Sequence, residues 1–74
     1  MMQLVGHAMA RNGNGMVVVL EPEVDTIVMT PLGARKKANA GMDYVIHHPS
    51  GMFVCPKSAF NQLYEMREEG KKEC

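Results

Sequence analysis

The sequence predicts an α+β fold: a small antiparallel β-sheet, or a partly closed barrel, of about five strands with one C-terminal helix. Three observations predict it. Glycine-containing turns separate short β-branched runs, helical spacing begins only after Pro56, and 74 residues leave room for one domain with one core. A chain this short buries only roughly 60% of the surface its unfolded form exposes, so its stability margin is modest.

The elements follow in order. Residues 1–20 read as an N-terminal hairpin, because Asn12 to Gly15 accepts the backbone of a tight turn between the apolar stretch Leu4 to Ala10 and the β-branched run Val17 to Leu20. A phosphate-binding loop is the functional rival of "NGNG", but it needs a helix and a Lys-Ser or Lys-Thr pair after it, and "MVVVLEP" supplies neither. Residues 26–55 read as a β-meander. Within it "TIVMT" is a strand, "PLG" a turn, and "ARKKANAG" a strand or exposed loop. Residues 56–69 read as the helix, with Phe60, Leu63, Tyr64 and Arg67 in one stripe, Pro56 in its first turn and Gly70 as its stop. Residues 70–74 are expected to be a frayed tail.

The stretch "DYVIHHPSGMFVCPKSAF" holds the residues with the most chemistry. Pro49 and Gly51 fit a three-residue hairpin loop, which sets His48 opposite Met52, His47 opposite Phe53 and Val45 opposite Cys55. In that register Tyr44, Ile46 and Val54 share one face, and Val45, Phe53 and Cys55 share the other. One apolar face can meet the helix; the second must close a barrel or meet a partner. His47 and Cys55 then lie diagonally on one face. A closed zinc site needs four ligands and only His7 offers a third, so no metal or other cofactor is expected. A Cys-His nucleophile pair lacks an orienting acid at a recognisable spacing, so the chain reads as a non-enzyme.

Charge narrows the partners. Eight basic residues balance eight acidic ones, so the formal net charge is +0 and nothing draws the chain as a whole to nucleic acid or anionic membrane. The basic triplet Arg35, Lys36 and Lys37 is the exception. In a strand its side chains alternate between faces, and two Tyr and two Phe give little stacking area for bases. Cys55 and Cys74 are too few for a disulfide framework, which favours reduced thiols and a cytoplasmic setting. The start "MMQLVGHAMA" lacks the basic region of a signal peptide, and no run approaches the ~20 apolar residues of a membrane helix. Eight methionines suit either an irregular core or a surface that adapts to another protein.

Residues 26–65 resemble the carboxy-terminal part of a widespread group of small bacteriophage proteins. The resemblance rests on Gly33, Lys37, Ala38, Asn39, Gly41, Asp43, Tyr44, Ile46, Gly51, Cys55, Phe60, Tyr64 and Glu65. Met42 interrupts the group's Gly-Asp pair, Pro56 sits one position early, and the amino-terminal part is reduced to one hairpin. The resemblance implies a phage or prophage origin and expression inside a bacterium. The expected function is therefore that of an accessory protein that binds and inhibits or redirects a host protein or ribonucleoprotein complex, as an anti-CRISPR or a transcription-takeover factor does. The expected partner-binding residues are Val45, His47, Met52, Phe53, Arg35, Lys36 and Lys37, no direct nucleic-acid or membrane partner is expected, and a homodimer is a further expectation. A small-molecule site on the His47/Cys55 face is the second reading, and nucleic-acid binding through Arg35 to Lys37 the third.

Overall fold

The structure, a computed structural model, describes residues 2–13 and 15–69, and of residues 68 and 69 the backbone alone. The expected tail, 70–74, lies outside the described residues. The fold is α+β. Its elements are β1 (Met2–Ala10), β2 (Met16–Pro22), β3 (Thr26–Met29), β4 (Arg35–Ala38), β5 (Asp43–His48), β6 (Gly51–Pro56), α1 (Lys57–Leu63) and β7 (Tyr64–Glu69). Five strands form an antiparallel sheet in the order β6-β5-β2-β1-β7, and β3 and β4 form a separate two-stranded ribbon.

The N-terminal hairpin forms as its turn chemistry requires. Gly13 and Gly15 take φ values of +87° and +96°, which L side chains rarely adopt, and the Ala10 N–H donates to the Gly15 carbonyl at 2.9 Å. The following segment, β2, is a strand and not a helix and pairs with β1, so the connection is that of a hairpin and not of a phosphate loop. Pro22 ends β2 opposite Met2, where its missing N–H closes the ladder.

The helix is shorter than 56–69. It covers Lys57–Leu63, preceded by Pro56 at φ −60° and ψ 140°, and the chain turns extended at Tyr64. Residues 64–69 instead pair with β1, Ala10 against Tyr64 and Ala8 against Met66, which satisfies the backbone groups on the open side of β1. Phe60 alone of the predicted stripe is buried; Leu63 is 52% exposed. Tyr64 and Met66 reach the core from a strand, where alternate residues share a face.

The Asp43–Pro56 hairpin is one residue out of the expected register. Pro49 and Ser50 make a two-residue loop, so His48 pairs with Gly51, His47 with Met52, Ile46 with Phe53, Val45 with Val54 and Tyr44 with Cys55. A one-residue slip moves a strand's side chains across the sheet relative to its partner. Tyr44, Ile46, Phe53 and Cys55 therefore share one face, and Val45, His47, Met52 and Val54 the other.

Both faces are covered, each by a different element. On one, Phe60 of α1 packs with Ala8, Val17, Val19, Ile46 and Cys55, its ring 5.1 Å from Tyr44 edge-on and 5.4 Å from Tyr64 stacked. On the other, Val28 and Ala38 of the ribbon close over Val45, with Met2, Leu20, Met52 and Val54 around them. The surplus apolar face of the hairpin is thus filled by residues 26–38 of the same chain, in an open sheet whose edges are β6 and β7.

Asp43 fixes how the ribbon joins the sheet. It is buried, its Oδ2 accepts the Asn39 N–H at 2.8 Å, and its own N–H donates to the Asn39 carbonyl at 3.0 Å. Asp25 Oδ1 accepts the Ala40 N–H at 2.9 Å, and the Met42 carbonyl accepts the Lys57 N–H at 2.9 Å. Loop 39–43 is therefore tied to the start of β3 and to the start of the helix at once. Lys57 also pairs with Glu21 and lies over the Tyr44 ring, 5.2 Å from its centre.

Candidate partner-binding surfaces

The seven residues expected to bind a partner divide into three environments. Val45 is fully buried beneath the ribbon and Met52 is packed at its margin, so Val45 is a core residue with no surface to offer a partner. His47 is exposed on the same face. Phe53 lies across the sheet from these, 37% exposed at the helix side. Arg35, Lys36 and Lys37 form most of β4 and are all exposed.

The His47/Cys55 pair does not exist as a site. In the observed register His47 faces the ribbon side of the sheet and Cys55 the helix side, where it is buried. Burial, with a smaller contribution from the Asp43 carboxylate, pushes the Cys55 thiol above its ordinary pKa, the opposite of what a nucleophile needs. His7 shares the face of His47 but Val18 of β2 stands between them. Among the described residues no group of three His, Cys, Asp or Glu side chains is placed to hold a metal ion, and no helix is long and apolar enough to cross a membrane.

The ribbon presents apolar and basic side chains together. Pairing of Ile27 with Lys37, Val28 with Lys36 and Met29 with Arg35 puts Val28 inward and sends Ile27, Met29, Arg35 and Lys37 outward. Ile27 is 60% exposed, Met29 54%, and Leu32 in the connecting turn 96%. That turn is built by its own hydrogen bonds: Thr30 donates to the Ala34 carbonyl at 2.8 Å, and Gly33 to the Thr30 carbonyl at 2.9 Å. Lys37 stands 3.7 Å from Asp25, so its charge is partly met within the chain. Arg35 and Lys36 have no such partner among the described residues.

The apolar members of this surface were hard to select from sequence. Ile27 and Met29 alternate with Val28 in a run of three β-prone apolar residues, and which of them points inward depends on a tertiary contact. The signal was the alternation opposite them, since a strand reading Arg-Lys-Lys-Ala has only Ala38 fit for burial.

A concavity lies on the helix side, where the β1–β2 turn, the end of α1 and the tip of the β5–β6 hairpin meet. Arg11, His48, Phe53, Gln62, Leu63 and Tyr64 line a cavity of about 460 Å³. His48 is oriented there by Ser50, whose backbone N–H donates to Nδ1 at 3.0 Å. No protein-family model, curated protein or solved structure matches the chain.

Proposed function

We propose that this protein is a non-catalytic binding protein that occupies the surface of a larger protein or ribonucleoprotein complex. In the phage setting implied by the resemblance of residues 26–65, it acts inside a bacterium as an accessory factor that inhibits or redirects a host assembly, for example a CRISPR effector or the transcription machinery. One observation carries this reading: the outer face of the ribbon combines exposed Ile27, Met29 and Leu32 with Arg35 and Lys37. Large apolar side chains grouped at the surface mark contact sites, and Met and Arg are both enriched in protein interfaces. The matching partner is an apolar groove with an acidic rim. The fold can present this face because the ribbon's inner side already contributes Val28 and Ala38 to the core.

Nucleic acid fits the same surface poorly. Lys36 alternates to the inner side, Asp25 offsets Lys37, and Tyr44, Phe53, Phe60 and Tyr64 lie on the helix side of the sheet, away from the triplet. The basic triplet and the aromatic rings thus lie on opposite sides of the sheet.

The experiment is site-specific photo-crosslinking in a bacterial host, with the crosslinker at Met29 and a control position at Ser58 on α1. A product specific to Met29 that is lost in Ile27→Asp is expected, while Ile27→Asp keeps its melting transition because residue 27 is exposed. Crosslinks only between copies of this chain identify a homodimer instead. Crosslinks at Ser58 alone, or products containing RNA or DNA alone, overturn the assignment of the ribbon as a protein-binding face.

A further inference from the structure

The cavity beside α1 lies on the opposite face of the main sheet from the ribbon, and its lining differs in kind. Phe53, Leu63 and Tyr64 give it an aromatic and aliphatic wall, and Arg11 is part of the same lining. Two hydrogen bonds preset that arginine. Its backbone N–H donates to the Leu63 carbonyl at 2.9 Å, and its Nε–H donates to the Asn61 carbonyl at 2.7 Å. Both acceptors are carbonyls from the end of the helix, so one edge of the guanidinium is committed to the protein. The Nη edge, with four N–H donors, pairs with no carboxylate among the described residues.

We propose that this cavity binds an organic anion that carries a carboxylate next to an aromatic ring. A guanidinium held at Nε turns its Nη donors toward a ligand in a planar fork that matches a carboxylate, and a side chain already fixed loses little further freedom on binding. Phe53 and Tyr64 provide the surface for the ring. The volume of about 460 Å³ is within the range of small-molecule sites, and it exceeds the roughly 150 Å³ that holds a single benzene ring, so a bicyclic ring with its side chain fits. The carboxylate can belong to a free aromatic acid or to a chain ending in an aromatic residue, since both offer the same two groups.

The test is an amide NMR titration of the full chain with indole-3-acetate and with its neutral amide, indole-3-acetamide. The acid is expected to shift the amides of Arg11, Phe53, Leu63 and Tyr64 together, with a dissociation constant of about 1 mM or lower. The amide is expected to bind at least about fivefold more weakly, and Arg11→Gln to abolish the difference while keeping a dispersed spectrum. Phe53→Ala, at an exposed position, weakens both probes and serves as the second variant should Arg11→Gln lose the helix end. N-acetyl-glycyl-tryptophan with a free carboxylate separates the sources: tighter binding than indole-3-acetate assigns the site to chain termini, weaker binding to free acids. Equal affinity for acid and amide, or no clustered shifts at about 10 mM, overturns the proposal and leaves Arg11 as a cap for the helix end alone.

Discussion

Gly51 is where the ribbon rests on the tip of the β5–β6 hairpin, and replacing it with Ala tests that contact. Its φ is +145°, a region L side chains rarely adopt, and a Cβ there lies far inside van der Waals contact with Pro31 Cγ, 3.1 Å from Cδ and 3.3 Å from Cβ. Forcing a non-glycine into a sparsely populated backbone region costs about 1–3 kcal/mol. Relieving the overlap with the proline ring costs about 1–3 kcal/mol more. The total of about 2–6 kcal/mol is a large part of the ~4–11 expected for a chain of 74 residues. The diagnostic quantity is the coupling with Pro31→Ala, because that change removes Cγ and Cδ but leaves the backbone cost at residue 51 untouched. Urea denaturation of the four proteins in the cycle should show the double variant about 1–3 kcal/mol more stable than the sum of the single effects. Any effect of Pro31→Ala on the unfolded chain, about 0.4–1 kcal/mol, occurs in both backgrounds and cancels. Coupling below about 0.5 kcal/mol would refute the packing of the 30–34 turn on the hairpin tip.

Phe60→Ala removes the only buried side chain of α1 and its ring contacts with Tyr44 and Tyr64; a loss of about 3–5 kcal/mol is expected, read by urea denaturation and as a marked fall in the circular dichroism melting temperature. Cys55 and Tyr64, both pushed up chiefly by burial from ordinary values of 9.0 and 10.0, contribute to the alkaline limb of stability, as does Lys57, raised by its hydrogen bond to Glu21. Because the folded state favours their protonated forms, the stability they contribute is present below pH 9 and is lost as pH rises through their folded values. The melting temperature should fall above pH 9, and Cys55→Ala should delay the onset of that fall, whereas an identical onset in the variant argues against a Cys55 contribution.

Two hairpins, at Asn12 to Gly15 and Pro49 to Gly51, and the turn at Pro31 to Gly33 were legible because they are written in residues with few alternatives; that residues 35–38 pair back on 26–29 as a separate ribbon was not. The helix start was legible for the same reason, at Pro56. Its end was not, since "YEMREE" carries good helix formers and Tyr64 falls on the Phe60 stripe. The competing signal was the alternation of Tyr64 and Met66 with Glu65 and Arg67, which becomes decisive only when β1 needs a second neighbour. The register of the central hairpin turned on whether Gly51 belongs to the loop or opens the strand. That one residue placed Phe53 on the face of Ile46 and dissolved the His47/Cys55 site. Arg11 gave no signal in sequence, because its role comes from helix-end carbonyls about fifty positions away.

Strand β1 is the first described element to be synthesised, and one of its two neighbours is the last. At 5–20 residues per second, roughly 2–8 s separate the emergence of Pro22 from that of Tyr64. During that interval the nascent chain holds a Val-rich hairpin whose outer backbone groups, from Gly6 to Ala10, await residues 64–69. Such a hairpin is prone to pair with another copy, and the strand that finally seals it, "YEMREE", is charged enough to discourage further addition. Polypeptides cut short before residue 64 therefore lack the protective strand and are expected to depend on chaperones or to aggregate. Supplying "YEMREE" as a separate peptide offers a way to capture the hairpin before that happens.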